Sequence, residues 1–152
     1  MTTEKQMVFK ILAPETPNDF EAYFELRWKV LREQWGLLPG TERDDQEATS
    51  IHRMILSPKG YPAAVGRLHY NSPQQAQVRF MAVHPDHQGG GFGSAILNEL
   101  ENIAKTENRV EIILQAREGA VRFYEKSGYT IREKSYLLFG SIQHYLMFKT
   151  LD

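Results

Sequence analysis

The chain has 152 residues, a formal net charge of −1 at pH 7 and no cysteine; 41% of its residues are hydrophobic and 24% are charged. This length suits one domain with a substantial core. The lack of cysteine excludes disulfides, thiolate zinc sites and a cysteine acyl-enzyme. Near-neutral charge, no run of about 18 apolar residues and no cleavable leader pattern predict a cytoplasmic protein that binds neither nucleic acid nor membrane.

The first third of the chain predicts one strand, one helix and a polar connection. Residues 8–13 have a strand pattern, and two prolines follow. Asn18 or Asp19 is expected to cap a helix over about 20–34, where apolar side chains recur at helical spacing. The connection 36–50 is rich in charge. One interpretation is a solvated loop and the other is a lid on the substrate side.

The rest of the chain predicts a sheet with two further helices. Four strands are expected from apolar patterns, at residues 51–56, 63–70, 77–83 and 110–114. The last of these is a continuous apolar run, which is typical of a strand buried on both faces. Helices are expected over 92–105 and before Gly128, and a closing hairpin over 130–139 and 142–149. The order βαβββαβαββ predicts one mixed α/β domain over 1–152 with about seven strands.

A glycine-rich segment joins the predicted fourth strand to the next helix. Residues 83–94 read VHPDHQGGGFGS. Glycine lets the backbone approach an anion closely, because no Cβ intervenes. The first turn of the following helix offers N–H groups without partners and the positive end of its dipole. The segment therefore predicts a ligand that carries phosphate, and a tight turn without a ligand is the alternative.

The spacing of the glycines excludes two common phosphate loops. A dinucleotide-binding turn needs Gly-x-Gly-x-x-Gly, but the sixth residue counted from Gly89 or from Gly91 is not glycine. A nucleoside-triphosphate loop needs Gly-Lys-Ser/Thr, and residues 60–104 contain no lysine. The pattern that remains is Gln-x-x-Gly-x-Gly, formed by Gln88, Gly91 and Gly93.

This pattern resembles the pyrophosphate loop of the GNAT family of N-acetyltransferases, which bind acetyl-CoA. A second block, Ala-x-x-Phe-Tyr-x-x-x-Gly-Tyr from Ala120 to Tyr129, also resembles that family. The tail Ile-x-His-x-x-Met from Ile142 to Met147 is similar to the ElaA-like small bacterial subgroup. Because the two motifs occur in the same order as in the family, coincidence does not explain the resemblance well.

The resemblance implies a sheet whose fourth and fifth strands splay apart, so that the pantetheine arm of acetyl-CoA enters between them. It implies that backbone groups of the fourth strand bond the pantetheine and that the glycine loop holds the pyrophosphate. The cofactor-binding residues that it implies are Met81, Ala82, Val83, Gln88, Gly89, Gly90, Gly91, Phe92, Gly93 and Ser94. Of these, Phe92 is expected to pack, and Gln88 to position the loop. Tyr124 matches the family tyrosine that protonates the leaving thiolate, and no metal is implied.

Two positions depart from the family pattern. Gln77 stands where the histone-acetylating branch has a general-base glutamate, and glutamine cannot take a proton. Arg117 stands where many members have an asparagine that contacts the cofactor. We consider two roles for Arg117, contact with a cofactor phosphate and a simple surface position.

An amine must lose a proton before it attacks an acyl group. The candidate bases are His69, His84, His144 and Glu118, and we expect a histidine or a water molecule rather than a carboxylate to act. For His84 the alternative is a role in shaping the turn before Pro85, and for His144 it is a structural position in its strand. The expected function is direct transfer of an acetyl group from acetyl-CoA to a primary amine of a small molecule or to a peptide N-terminus, in a ternary complex. A homodimer is the assembly that we consider for this enzyme. The alternative is a non-catalytic CoA-binding sensor or partner module.

Overall fold

A computed structural model describes residues 9–152, which form a seven-stranded mixed sheet with helices on both faces. The strand order is β1-β2-β3-β4-β5-β7-β6. Only β4 and β5 pair in parallel, and every other neighbouring pair is antiparallel. The strands are β1 (Ile11–Leu12), β2 (Ile51–Leu56), β3 (Pro62–Tyr70), β4 (Gln75–Val83), β5 (Glu111–Arg117), β6 (Thr130–Leu138) and β7 (Ile142–Thr150). The helices are α1 (Pro17–Leu31), α2 (Phe92–Thr106) and α3 (Val121–Lys126). The predicted mixed α/β class and the number of strands are confirmed.

Helix α1 begins and ends earlier than the sequence predicts. Its N-cap is Thr16 rather than Asn18 or Asp19, because the Thr16 hydroxyl accepts from the backbone N–H of Asp19 at 3.0 Å. The Asp19 carboxylate accepts in return from the backbone N–H of Thr16 at 3.2 Å, which completes a capping box. The helix ends at Leu31, where the chain tightens into a 3₁₀ turn and reverses at Gly36, whose φ is 74°.

The two faces of the sheet bury separate apolar clusters. Helix α2 covers one face, where Ile96 and Leu100 pack on β2, β3 and β5. Helix α1 covers the other face, where Tyr23 and Leu26 pack on Met54. None of the helices between residues 9 and 152 is long and apolar enough to cross a membrane.

Strand β5 is not buried on both faces as its apolar sequence predicts. Ile112 and Leu114 are buried, but Ile113 between them is partly exposed, and Val110 precedes the strand and is 54% exposed. Towards the end of the strand, Gln115 and Arg117 on this partly exposed side line an open cavity. The predicted first strand is also shorter, because only Ile11–Leu12 pairs with β2; Val8 lies outside the described residues.

The charged connection 36–50 is not a solvated loop, because its carboxylates pair with two fully buried arginines. Arg67 donates to Asp44 at 2.6 Å and to Glu47 at 3.0 Å, and Arg27 donates to Glu47 at 2.9 Å. The side chain of Glu42 is only 2% exposed and accepts from a backbone N–H of the same connection. The connection is therefore a folded cover on the α1 face of the sheet.

A β-bulge in β4 separates this strand from β5. The β3–β4 pairing shifts between Arg67 and Val65, and Phe80 in the bulge has φ 57°, which is rare for a residue with a side chain. The bulge switches the faces of the strand, because Val78 packs under α2 whereas Ala82 packs under α1. The parallel β4–β5 ladder ends at Val78, so the last residues of β4 turn away from β5.

Gly66 should be the most sensitive glycine of the sheet. A Cβ at this position would lie 2.6 Å from Cγ2 of Ile96 and 3.1 Å from a methyl of Leu100. Because Ile96 is β-branched and buried, Gly66→Ala should lower the free energy of unfolding by about 1–3 kcal/mol in urea denaturation. Gly119→Ala is the control, since nothing lies within 4 Å of the added Cβ. Equal stability of both variants would contradict the close packing of α2 on β3.

Asp44 should make stability depend on acidic pH. Burial alone would raise the pKa of Asp44, but the hydrogen bond and charge of Arg67 outweigh it and lower the pKa from 3.8 to about 2. The ionised carboxylate therefore stabilises the fold above pH ~4, and this stability is lost as the pH falls towards ~2.

The corresponding change in unfolding free energy is about 2 kcal/mol. Asp44→Asn should lose at least this much at pH 7 and should flatten the pH dependence between about 4 and about 2. Asp45→Asn is the control, because Asp45 is exposed and has no ion pair within residues 9–152. An unchanged acid slope in Asp44→Asn would rule out the pairing with Arg67.

Candidate active site

A cavity of about 390 Å³ lies where β4 and β5 separate. Its walls come from the end of α1, the bulged part of β4, the end of β5, the start of α3 and the β6–β7 hairpin. Strand β4 keeps its pairing with β3 through Val83, and β5 keeps its pairing with β7 through Arg117. Each strand thus remains fixed on its outer edge while the edges that face each other are free for a ligand.

The glycine loop leads directly into α2. Gly89 and Gly91 have φ values of 81° and 86°, which disfavour any residue with a side chain. Gly91 is the N-cap of α2 and supplies no side-chain acceptor, so the N–H groups of the first turn lack a capping partner. Gly93 is needed for packing, because a Cβ there would lie 3.3 Å from the Phe123 ring and 3.4 Å from Val83.

Side chains around the loop hold its shape. The Gln88 amide donates to the carbonyl oxygen of Val83 at 3.4 Å and so ties the loop to the end of β4. The Phe92 ring is buried and packs edge-on against Phe9, with 4.7 Å between ring centroids. Ser94 is exposed at the start of α2.

The gap between β4 and β5 fits an extended ligand arm. Beyond Val78 the edge of β4 has no ladder to β5, so backbone groups of Met81 to Val83 are available on that side. The side chain of Ala82 is buried beneath α1 and does not obstruct the gap. An unpaired strand edge beside a helix N-terminus can hold an amide-containing arm and a phosphate together.

Tyr124 lies on α3 and lines the cavity. Its ring packs against Phe123 and Tyr129, with centroid distances of 5.0 and 5.9 Å. Within residues 9–152 its hydroxyl has no hydrogen-bond partner. Burial raises the pKa of Tyr124 to about 12, although the positive charge of Arg117 opposes this rise. The phenol is therefore protonated at neutral pH and free to donate a hydrogen bond to a ligand.

His144 lies in the same cavity, directly opposite Arg117 in the β5–β7 pairing. Its ring stacks on Tyr136 at 4.6 Å, and Nδ1–H donates to the carbonyl oxygen of Ile142 at 3.0 Å. This bond fixes the neutral tautomer whose Nε2 carries a lone pair. Burial lowers the pKa of His144, and nearby Arg117 and Arg32 lower it further against the opposing effect of the Ile142 bond.

The other candidate bases lie outside the cavity. Glu118 is exposed in a 3₁₀ turn after β5. His84 caps the 3₁₀ turn before the glycine loop, where its Nδ1 accepts from the backbone N–H of Asp86 at 3.1 Å. His69 is buried on β3, and its Nδ1 accepts from Arg67 at 3.1 Å. The structure therefore brings Tyr124, His144 and Arg117 together, but not these three.

Gln77 also lines the cavity, and its side-chain oxygen accepts from Asn71 at 3.0 Å. Among the described residues that line the cavity, none is an aspartate or a glutamate. Nor does the described part of the chain contain three histidine or carboxylate side chains grouped as a metal site.

Several cavity residues were not predicted from the sequence. Arg32 and Trp35 come from the end of α1 and the turn after it, and Tyr136 comes from β6. No motif marks them, because they reach the cavity only through the way distant elements pack. The exposed aromatic residues of the closing hairpin are the one sequence signal that could have indicated a ligand surface there.

NMR titration can test the state of His144. Because burial and two arginines disfavour the imidazolium, the ring should titrate below 6.5, the pKa of an unperturbed histidine. In the neutral form, ¹⁵N shifts should show the proton on Nδ1. The His144→Gln spectrum assigns the signal. Titration above pH 6.5, or a proton on Nε2 of the neutral ring, would contradict the described geometry.

Comparison with known proteins identifies the family of this chain. The model of the acetyltransferase (GNAT) family matches residues 7–129. The uncharacterized N-acetyltransferase YjcF of Bacillus subtilis (strain 168) is 27% identical over 140 residues, which cover 92% of this chain and 99% of that protein.

Solved structures show the same fold. Escherichia coli ElaA superposes with a TM-score of 0.77 and 16% identity, covering 95% of this chain and 99% of ElaA. An aminoglycoside 6'-N-acetyltransferase complexed with coenzyme A superposes with a TM-score of 0.74 and 16% identity, covering 96% of this chain and 98% of that protein. These likenesses establish the shared fold, and the family match over most of the sequence shows that the chain belongs to the GNAT acetyltransferase family.

Proposed function

We propose that this protein transfers the acetyl group of acetyl-CoA directly to a primary amine within a ternary complex. The observation that carries the proposal is the opening between β4 and β5, which Tyr124 and His144 line, together with the glycine loop that follows β4 and leads into α2. An acetyltransferase of the same fold binds coenzyme A, which supports this cofactor. With no cysteine in the chain, no cysteine acyl-enzyme can form, so direct attack is the simplest route.

The chain's own groups would hold acetyl-CoA along this opening. Backbone groups of Met81, Ala82 and Val83 would bond the pantetheine amides. Backbone N–H groups from Gly89 to Ser94 would bind the pyrophosphate at the positive end of α2. The acetyl thioester would then lie beside Tyr124.

Two side chains would move the protons of the reaction. The amine nitrogen attacks the acetyl carbon, so a C–N bond forms and the C–S bond breaks. Nε2 of His144 takes the amine proton directly or through a water molecule, as expected of a neutral imidazole. The Tyr124 hydroxyl donates its proton to the leaving sulfur and is restored from solvent. No carboxylate is needed as the direct base.

The direct test is CoA thiol release from acetyl-CoA with a panel of amines, made on the wild type and on Tyr124→Phe. Loss of the donor hydroxyl should leave acetyl-CoA affinity in calorimetry unchanged and lower kcat by about 10²-fold. Tyr70→Phe is the matched control. Tyr70 lies outside the cavity lining, and its buried hydroxyl has no hydrogen-bond partner among residues 9–152.

Two results would contradict the proposal. Unchanged turnover of Tyr124→Phe, where chemistry limits the rate, would remove Tyr124 as the acid. Tight CoA binding without thiol release for any amine would indicate the non-catalytic sensor instead.

A further inference from the structure

The charged side chains of the cavity are all positive. Arg32 at the C-cap of α1, Arg79 on β4 and Arg117 on β5 line it, and the described lining contains no carboxylate. The chain as a whole has a net charge of −1, so this excess is local rather than a property of the composition. A cavity with this charge attracts anions and repels a polycationic amine.

Two of these arginines have no carboxylate partner among residues 9–152. Arg79 pairs with Asp44 at 3.0 Å. Arg32 instead donates to the carbonyl oxygens of Thr41 and Leu31, both at 3.1 Å. Within residues 9–152, the guanidinium of Arg117 has neither an ion pair nor a hydrogen bond. Burial and the charges of Arg79 and Arg117 lower the pKa of Arg32, as expected when guanidinium groups share a confined space.

A bound anion would complete this arrangement. A guanidinium presents a planar fork of N–H donors that matches carboxylate and phosphate oxygens. Half-buried cations without a counter-ion are unfavourable, and a ligand anion would offset this cost. The guanidinium of Arg117 is therefore available to pair with a ligand anion.

The position of Arg117 indicates which ligand this is. It lies directly opposite His144 across the β5–β7 pairing, and its charge acts on both His144 and Tyr124. The glycine loop of residues 88–94, by contrast, contributes nothing to the described lining of this cavity. Arg117 thus faces the proton-transfer groups rather than the expected pyrophosphate site.

We propose that the acceptor is a small amine that also carries a carboxylate or a phosphate group, and that Arg117 together with Arg32 binds this anion. The amine then points to His144, while Trp35 and Tyr136 flank the acceptor at the cavity wall. This inference rests on the proposed acetyl transfer and adds the chemical class of the acceptor.

Matched acceptor pairs test the inference. One pair is glucosamine 6-phosphate and glucosamine, and the other is an α-amino acid and its amide; spermidine represents polycations. At least one anionic member should exceed its neutral partner in kcat/KM by about tenfold to about a hundredfold, as expected for a charged hydrogen bond. A preference within the glucosamine pair would identify phosphate as the bound anion, and a preference within the amino-acid pair would identify carboxylate. Spermidine should be the poorest acceptor.

Three variants connect this preference to the arginines. Arg117→Gln should reduce the ratio of kcat/KM values for the anionic and neutral partners to near one, with acetyl-CoA affinity unchanged. Arg117→Lys should restore part of the ratio, because it keeps the charge but not the fork. Arg132→Gln is the matched control, since Arg132 pairs with Glu111 outside the cavity and should leave the ratio unchanged.

A second measurement needs no variant and so holds even where Arg117→Gln fails to fold. An acceptor analogue without the amine, such as glucose 6-phosphate, should compete with the anionic acceptor and not with acetyl-CoA, while glucose should inhibit far less.

Equal kcat/KM for charged and neutral partners, with thiol release intact, would overturn the inference and leave the proposed function standing. The inference would also fall if Arg117→Gln weakened acetyl-CoA binding and lowered both partners equally, because Arg117 would then serve the cofactor. Absence of thiol release with every amine would overturn both proposals.

Discussion

The constraint on which this structure depends is the strained backbone of Phe80. A positive φ costs a residue with a side chain about 1–3 kcal/mol, so the surroundings of Phe80 must stabilise this backbone conformation. Three guanidinium groups lie over its ring within 5.0 Å, and a fourth lies at 5.8 Å. Cation–π attraction is strong where the cation is desolvated, as it is for Arg27 and Arg67. The bulge that these contacts stabilise turns the end of β4 away from β5, and the cavity lies between the two strands.

The same arginines connect the fold to the chemistry of the cavity. The inner pair, Arg27 and Arg67, is neutralised by Asp44 and Glu47 from the connection after α1. The connection thus serves the fold as a source of buried counter-charges, although no residue of 36–50 contributes to the described cavity lining. Asp44 also pairs with Arg79 of the cavity, but the described lining itself holds guanidinium groups and neutral residues and no carboxylate. The acceptor class proposed above follows from this division of charge.

The elements that the sequence predicts correctly are those specified by local patterns. The glycine loop, α2, and the helix that ends before Gly128 were predicted well, because each is specified by neighbours in the sequence. The bulge was not predicted, since residues 77–83 alternate in the same way whether or not Phe80 turns the strand. The role of the charged connection was missed because the partners of Asp44 and Glu47 lie about twenty residues away, on α1 and β3. The sequence identified His144 as one base candidate among four, and only the packing of the hairpin places it beside Arg117.

A crystal structure of the protein with acetyl-CoA will show whether the bulge at Phe80 opens the cofactor site. We expect the pantetheine between β4 residues 81–83 and the end of β5, the pyrophosphate at residues 89–94 and the thioester sulfur within hydrogen-bond reach of the Tyr124 hydroxyl. A positive φ at Phe80 should persist in that complex. A β4–β5 ladder that continues past Val78, or a cofactor bound on another face of the sheet, would contradict it.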